Sequence, residues 1–230
     1  MSTKRLLNTG NGKMAHINED YITTYIRELT PKSSPLLQEL EAYAEENHVP
    51  IVQPEVGQLL RTLLRIHKPA AVLEVGTAIG YSAILMGECL ESGWTITSLE
   101  RNQEIIPIAL ENIKRAGYEK SIKVIPGDAL ETFPHLSGSY DFIFLDAAKG
   151  HYMEFFDYAS ALLKPGGMIV SDNVLYKGMV AEDSLVMRRK RTIVNRLRDY
   201  LERINNLEGY ISSVIPIGDG VAITCKEANY

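Results

Sequence analysis

Residues 70–100, AAVLEVGTAIGYSAILMGECLESGWTITSLE, hold a strand, a turn, a helix and a second strand in direct succession. The apolar run AAVLEV (70–75) stops at Gly76, and a helix follows from about Gly80 to Leu90. TITSLE (95–100) is then a second strand. A strand, a helix and a strand at this spacing imply a right-handed crossover between parallel neighbours.

The alternation continues outward from this unit. A helix is expected over 102–116, a strand over 122–126 (IKVIP), a short helix after Asp128 and a strand over 141–146 (DFIFLD). A helix near 151–163, a strand over 167–172 (GMIVSD) and a long helix over about 184–206 follow. Strands near 210–216 and 220–225, joined by GDG, have the turn chemistry of an antiparallel hairpin. Upstream, helical spacing predicts helices over 17–29, 34–47 and 54–67, the second opened by Ser34 as N-cap and Pro35 at the first position. The strand segments show little period-two alternation, as strands buried on both faces do. The expected fold is α/β: a doubly wound, mostly parallel seven-stranded sheet with an antiparallel C-terminal hairpin and extra N-terminal helices. A polar leader over 1–15 would precede a single domain over 16–230, with helices over 16–68 and the α/β core over 69–230.

Bulk properties exclude several classes. The 230 residues are 45% hydrophobic, enough for one sizeable core. No apolar run reaches the roughly 18 residues of a membrane span, and the first residues lack the apolar stretch of a secretory signal. Two cysteines make no disulfide framework, so a cytoplasmic setting is expected. A net charge of −5 opposes a broad electrostatic grip on nucleic acid while allowing a local basic patch.

In sheets of this kind ligands bind beyond the carboxyl ends of the strands, so those residues carry the functional question. Gly76 and Gly80 permit a tight turn and close approach of a ligand, and the helix start at Tyr81 and Ser82 offers free N–H groups. Ala78 stands where a dinucleotide fingerprint has its middle glycine, which counts against a nicotinamide-dependent oxidoreductase. Glu100, one strand further on, is placed to hold a ribose hydroxyl pair; the plain alternative is a solvated acid beside Arg101. Asp128 suits an N-cap, an adenine contact, or both. Asp146 ends one strand, and Asp172 with Asn173 ends another. Together they offer three hard oxygen donors suited to Mg²⁺ or Ca²⁺ rather than zinc. A carboxylate ending a buried strand needs a partner: a cation, a cationic cofactor, or Lys149 three residues on.

Five segments, VLEVGTAIGYSA, SLERN, GDAL, DFIFLDAAKGHY and LLKPGGMIVSDNVLYKG, resemble in order the cation-dependent class I O-methyltransferases, the family of the catechol and caffeoyl-CoA enzymes with a bacterial branch. The resemblance spans roughly residues 35–225. HVPI, DAAKGHYMEFF, DNVLYKGMVAED and IPIGDGVAI look most like the branch that methylates 5-hydroxyuridine in tRNA. The resemblance implies a Rossmann-like fold, S-adenosyl-L-methionine as methyl donor, and Mg²⁺ or another divalent cation such as Mn²⁺ or Ca²⁺. It implies that Val52, Glu74, Gly76, Tyr81 and Ser82 meet the methionine end of the donor. Glu100 would hold the ribose, Asp128 and Ala129 the adenine, and Asp146 would lie near the sulfonium. Asp146, Asp172 and Asn173 match the metal ligands and Lys149 the base. Ala147 and Ala148 depart from the animal catechol enzymes, which are bulkier there.

The chemistry so implied needs two adjacent oxygens on the acceptor, which a catechol or caffeoyl-type phenol and a 5-hydroxyuracil both offer. Arg188, Arg189, Lys190 and Arg191 open the long helix as a basic cluster, and cations at a helix start oppose its dipole. They suit RNA phosphates, or else form a solvated face. The expected partners are therefore tRNA or a small phenol, with no membrane; the resemblance implies a homodimer, for which the N-terminal helices are interface material.

Overall fold

A computed structural model of the chain describes residues 17–228. The expected leader over 1–15 lies outside the described residues. Helix α1 (Asp20–Leu29) buries no side chain. Helix α2 (Pro35–Glu46) starts as its sequence signals require: the Ser34 hydroxyl accepts from the Leu37 N–H, Pro35 takes the first turn, and Leu37, Leu40 and Ala44 are buried. Helix α3 (Pro54–His67) buries Val56, Leu60 and Leu64 and ends on Lys68 in the left-handed region.

The sheet contains β1 (Ala71–Val75), β2 (Thr95–Glu100), β3 (Ile122–Pro126), β4 (Tyr140–Leu145), β5 (Leu163–Ser171), β6 (Tyr210–Ile215) and β7 (Val221–Lys226). Their order is β3-β2-β1-β4-β5-β7-β6. Strands β1 to β5 pair in parallel, and β7 runs antiparallel to both β5 and β6. The strand order reverses between β1 and β4, which opens the ligand crevice at their carboxyl ends.

Five helices cover the strands: α4 (Tyr81–Gly87), α5 (Ile106–Arg115), α6 (Ala129–Thr132), α7 (Tyr152–Leu162) and α8 (Arg191–Asn206). The side-chain period of two divides each strand between two cores. Val72, Phe142 and Phe144 pack with Leu60, Leu64 and Ile84 from α3 and α4. Leu73, Val75, Ile143 and Leu145 pack with Phe155, Phe156, Leu197 and Tyr200 from α7 and α8. Each such buried side chain contributes about 1.5–3 kcal/mol, and together they fix the strand ends that carry the site.

Two helix starts differ by four residues or more from the sequence expectation. Helix α5 begins at Ile106 rather than 102, because Pro107 is confined to a first helical turn. Helix α8 begins at Arg191 rather than 184; Asp183–Leu185 and Arg188–Lys190 form separate short 3₁₀ turns. A helix from 184 would enclose the positive run in its first two turns, against its own dipole. The loop before α8 is instead held by Arg198, which donates to the Val180 and Met179 carbonyls at 2.9 and 3.2 Å.

Candidate functional site

A cavity of about 490 Å³ opens at the carboxyl ends of β1, β2, β4 and β5. The parallel register sets it up: Val75 pairs with Leu99 and with Leu145, and Leu145 pairs with Ser171. The next residues in each strand, Gly76, Glu100, Asp146 and Asp172, therefore stand in one row, and all four line the cavity.

Gly76 has a φ of +108°, and a Cβ on it would lie 2.2 Å from the Asp146 carbonyl oxygen. Only glycine allows the β1 turn to pass this close to the β4 end. The turn then gives its N–H groups to β2: Gly76 and Thr77 donate to the Leu99 carbonyl, and Ala78 donates to Glu100 Oε2 at 2.8 Å. Asn102 donates to the other oxygen, Glu100 Oε1, at 2.8 Å. Both Glu100 oxygens are thus fixed by backbone and keep lone pairs for a ligand.

Tyr81 and Ser82 both line the cavity at the start of α4. The Tyr81 hydroxyl donates to Glu41 Oε1 at 2.7 Å, and the Ser82 hydroxyl donates to Glu74 Oε1 at 2.5 Å. Glu74 is itself absent from the cavity wall. It shares a face with Val72, lies beneath α4 with no exposure, and accepts from Ser82 and Ser98. Burial raises its carboxyl to about 7. The resemblance names it among the contacts of the methionine end; here it lies under Ser82, which lines the cavity. Val52 is buried in the core, and its neighbours Ile51 and Gln53 line the cavity. Asp128 caps α6, accepting from Leu130 N at 2.9 Å, and lines the cavity with Ala129.

Asp146, Lys149, Asp172 and Asn173 meet at one end of the cavity. The Asp172 N–H donates to the Leu145 carbonyl, and the Tyr152 hydroxyl donates to the Asp172 carbonyl at 2.7 Å, which locks the two strand ends together. Asn173 takes a φ of +61°, a conformation asparagine tolerates, and its N–H donates to Asp172 Oδ1 at 2.6 Å. Desolvation raises both carboxyls; Asp172 reaches about 7 through burial first and the nearby Asp146 second. Lys149 opposes both shifts through its charge, without forming an ion pair with either. Among the described residues no set of three His, Cys, Asp or Glu side chains is arranged around a metal position; this constellation is two acids and an amide.

Lys149 stands at the head of a 3₁₀ turn (Lys149–His151) that rests on α8, where Arg196 donates to the Gly150 carbonyl at 2.8 Å. Its charge also acts on Asp219, a half-buried acid in the β6–β7 turn that accepts from the Lys177 N–H. GDG signalled only a turn, so its acid went unnoticed as a site residue. A second cavity, about 480 Å³, borders Asn173, Lys177 and Asp219 on one side and Thr23, Arg27 and Glu55 on another. Among the described residues Ile17 is its sole aliphatic lining residue, and none is aromatic. Arg188, Arg189 and Arg191 are exposed and line neither cavity. Lys190 lies 5.7 Å above the Tyr176 ring, in the loop that follows Asn173.

Residues 27–227 match the O-methyltransferase family. A caffeoyl-CoA O-methyltransferase from Stellaria longipes is 32% identical over 203 residues, covering 83% of each chain. A catechol O-methyltransferase from Niastella koreensis is 35% identical over 137 residues, 58% of this chain and 62% of that protein. Among solved structures, an O-methyltransferase from Bacillus cereus in complex with S-adenosylhomocysteine (SAH) is 27% identical. It has a TM-score of 0.80, covering 90% of this chain and 97% of that one.

Proposed function

The chain belongs to the O-methyltransferase family, and from that premise we propose that it carries a methyl group from S-adenosylmethionine to a hydroxyl flanked by a second oxygen, with a divalent cation, the acceptor being 5-hydroxyuridine at the tRNA wobble position. The observation that carries this is the pair of desolvated acids, Asp146 and Asp172, side by side at neighbouring strand ends with Lys149 facing both.

The residues fit a hard cation. Two raised carboxyls in one crevice lack sufficient positive charge, and the Asn173 amide completes an all-oxygen donor set. Asp146, Asp172 and Asn173 would hold the ion. When bound, it would supply Lewis acidity that lowers the pKa of the acceptor hydroxyl. The residues also fit the methyl donor: Gly76 gives close approach, Glu100 presents fixed oxygens to a ribose, and Asp128 with Ala129 closes the far end. Bacillus cereus and Streptomyces achromogenes relatives, solved with SAH and S-adenosylmethionine, support this choice. In its deprotonated form Lys149 Nζ takes the acceptor proton, and the turn that carries it is steadied by Arg196. Alignment of acceptor oxygen and methyl group then supplies much of the acceleration.

The polar second cavity supports a nucleobase over a bare phenyl ring, and the exposed Arg188, Arg189 and Arg191 support phosphate contact. The names of the Stellaria and Niastella relatives favour a second reading, a catechol or caffeoyl-type phenol. Helix α1, with Tyr21, Tyr25 and Leu29 exposed, supports the expected homodimer. No helix among the described residues is long and apolar enough to cross a membrane, and Cys89 and Cys225 are free thiols. The test is transfer of labelled methyl to tRNA bearing wobble 5-hydroxyuridine and, in parallel, to a panel of catechols. The expected result is efficient labelling of tRNA; labelling of catechols alone would assign the acceptor to the phenols.

A further inference from the structure

Gln53 stands between the two cavities. It precedes α3 as its N-cap, and among the described residues only Gln53 and Asn173 line both cavities. The orientation of its amide is settled by its neighbour. Arg27 Nη2 donates to Gln53 Oε1 at 2.9 Å, and a guanidinium has donors and no acceptor. The oxygen must therefore face Arg27, and the –NH₂ group must face away from it. Arg27 cannot swing aside at little cost, because its Nε and Nη2 are forked onto both oxygens of Glu55 at 2.7 and 2.9 Å, and Glu55 is buried. The Gln53 –NH₂ group donates to nothing among the described residues, and the backbone carbonyl of Gln53 is taken by the Gly57 N–H. A pair of unspent donors is thus held on a side chain that lines both cavities, as Asn173 does.

Resting on the reading of this site as a methyl-transfer centre, we propose that the Gln53 –NH₂ group binds a carbonyl oxygen of the methyl acceptor and selects acceptors that carry a carbonyl next to the reacting hydroxyl. A carbonyl can only accept a hydrogen bond, and a fixed donor serves it fully. The second oxygen of a catechol is a hydroxyl, which brings a proton of its own and gains less from a donor. The Asp219 carboxyl in the second cavity would suit a ring N–H on the same heterocycle.

Gln53→Glu keeps the shape and the contact with Arg27 and removes the donors; Gln53→Met removes both donor and acceptor. Binding of 3-hydroxypyridin-4-one, of the nucleoside 5-hydroxyuridine and of catechol to the Mg²⁺- and SAH-loaded protein is measured by calorimetry, with KM and kcat for those accepted and for the tRNA. Both variants should bind the two carbonyl-bearing probes about tenfold more weakly, the worth of one hydrogen bond near 1.4 kcal/mol. Catechol and SAH affinities should stay within twofold, and an unchanged melting temperature separates this from misfolding. Equal losses for all probes, no loss for any, or a wild-type protein that takes catechol alone would overturn the assignment to Gln53. A wild type that methylates the small carbonyl-bearing probes in a Gln53-dependent way but leaves tRNA unlabelled would sink the tRNA acceptor while supporting the role of Gln53.

Discussion

Replacing Glu74 by Gln isolates the cost of a buried carboxyl under the cofactor turn. Glu74 is wholly buried, accepts from two serine hydroxyls, and has its carboxyl raised to about 7 by desolvation. An ordinary glutamate ionises at 4.5, and at 1.36 kcal/mol per pH unit the difference corresponds to about 3 kcal/mol. The sign follows from proton binding. Below 4.5 the group is protonated in both states and its contribution is fully present. Between 4.5 and 7 the folded protein holds a proton that the unfolded chain has released, so stability falls as pH rises, and the loss is complete above about 7. The amide introduced by Glu74→Gln carries no such proton. Urea unfolding of the wild type and Glu74→Gln across pH 4–8.5, with chelator so that Asp146 and Asp172 titrate alike in both, gives two stability curves. Their difference should change by about 3 kcal/mol, the wild type losing ground as pH rises. Parallel curves would show that Glu74 ionises normally and that its burial has been misjudged.

Gly76→Ala should destabilise the protein by about 1–3 kcal/mol and abolish SAH binding in calorimetry, because the new Cβ meets the Asp146 carbonyl at a φ of +108°; wild-type affinity would mean the β1 turn has slack. Arg196→Ala should lower kcat severalfold with SAH affinity unchanged, and Arg196→Lys should recover part of it, since Arg196 holds the turn carrying Lys149; an unchanged kcat would show that the turn is self-supporting. Neutralising Arg188, Arg189 and Arg191 to Gln should flatten the dependence of log tRNA affinity on log salt by about 2, at roughly 0.7 per phosphate contact with single strands; an unaltered slope would reduce the cluster to a solvated face.

The sequence revealed most where one residue type can satisfy a local demand. Apolar runs fixed the strand ends, and with them the row of Gly76, Glu100, Asp146 and Asp172. Ser34 with Pro35, and Asp128, announced their helix starts because capping is a short-range hydrogen bond. The resemblance names Val52 and Glu74 among the donor's contacts, and the direction of their side chains, into the core and under Ser82, depends on tertiary packing. Gln53, Arg27 and Asp219 come from the start of α3, from α1 and from the last hairpin, and their meeting is a property of the tertiary fold alone. The start of α8 was misplaced because an apolar stripe marks a helix face better than its end.

The most direct test of the account is the dependence of methyl transfer on the cation crevice. The rate of label transfer from S-adenosylmethionine to the better acceptor is measured after chelation, after Mg²⁺ is restored, and again in Asp172→Ala, with SAH binding followed in every sample. Transfer should vanish with chelator, return with Mg²⁺ and stay absent in Asp172→Ala, while SAH binding persists. Full transfer in chelator, or in Asp172→Ala, would contradict the assignment of Asp146, Asp172 and Asn173 as the cation site and leave Lys149 to be explained in another way.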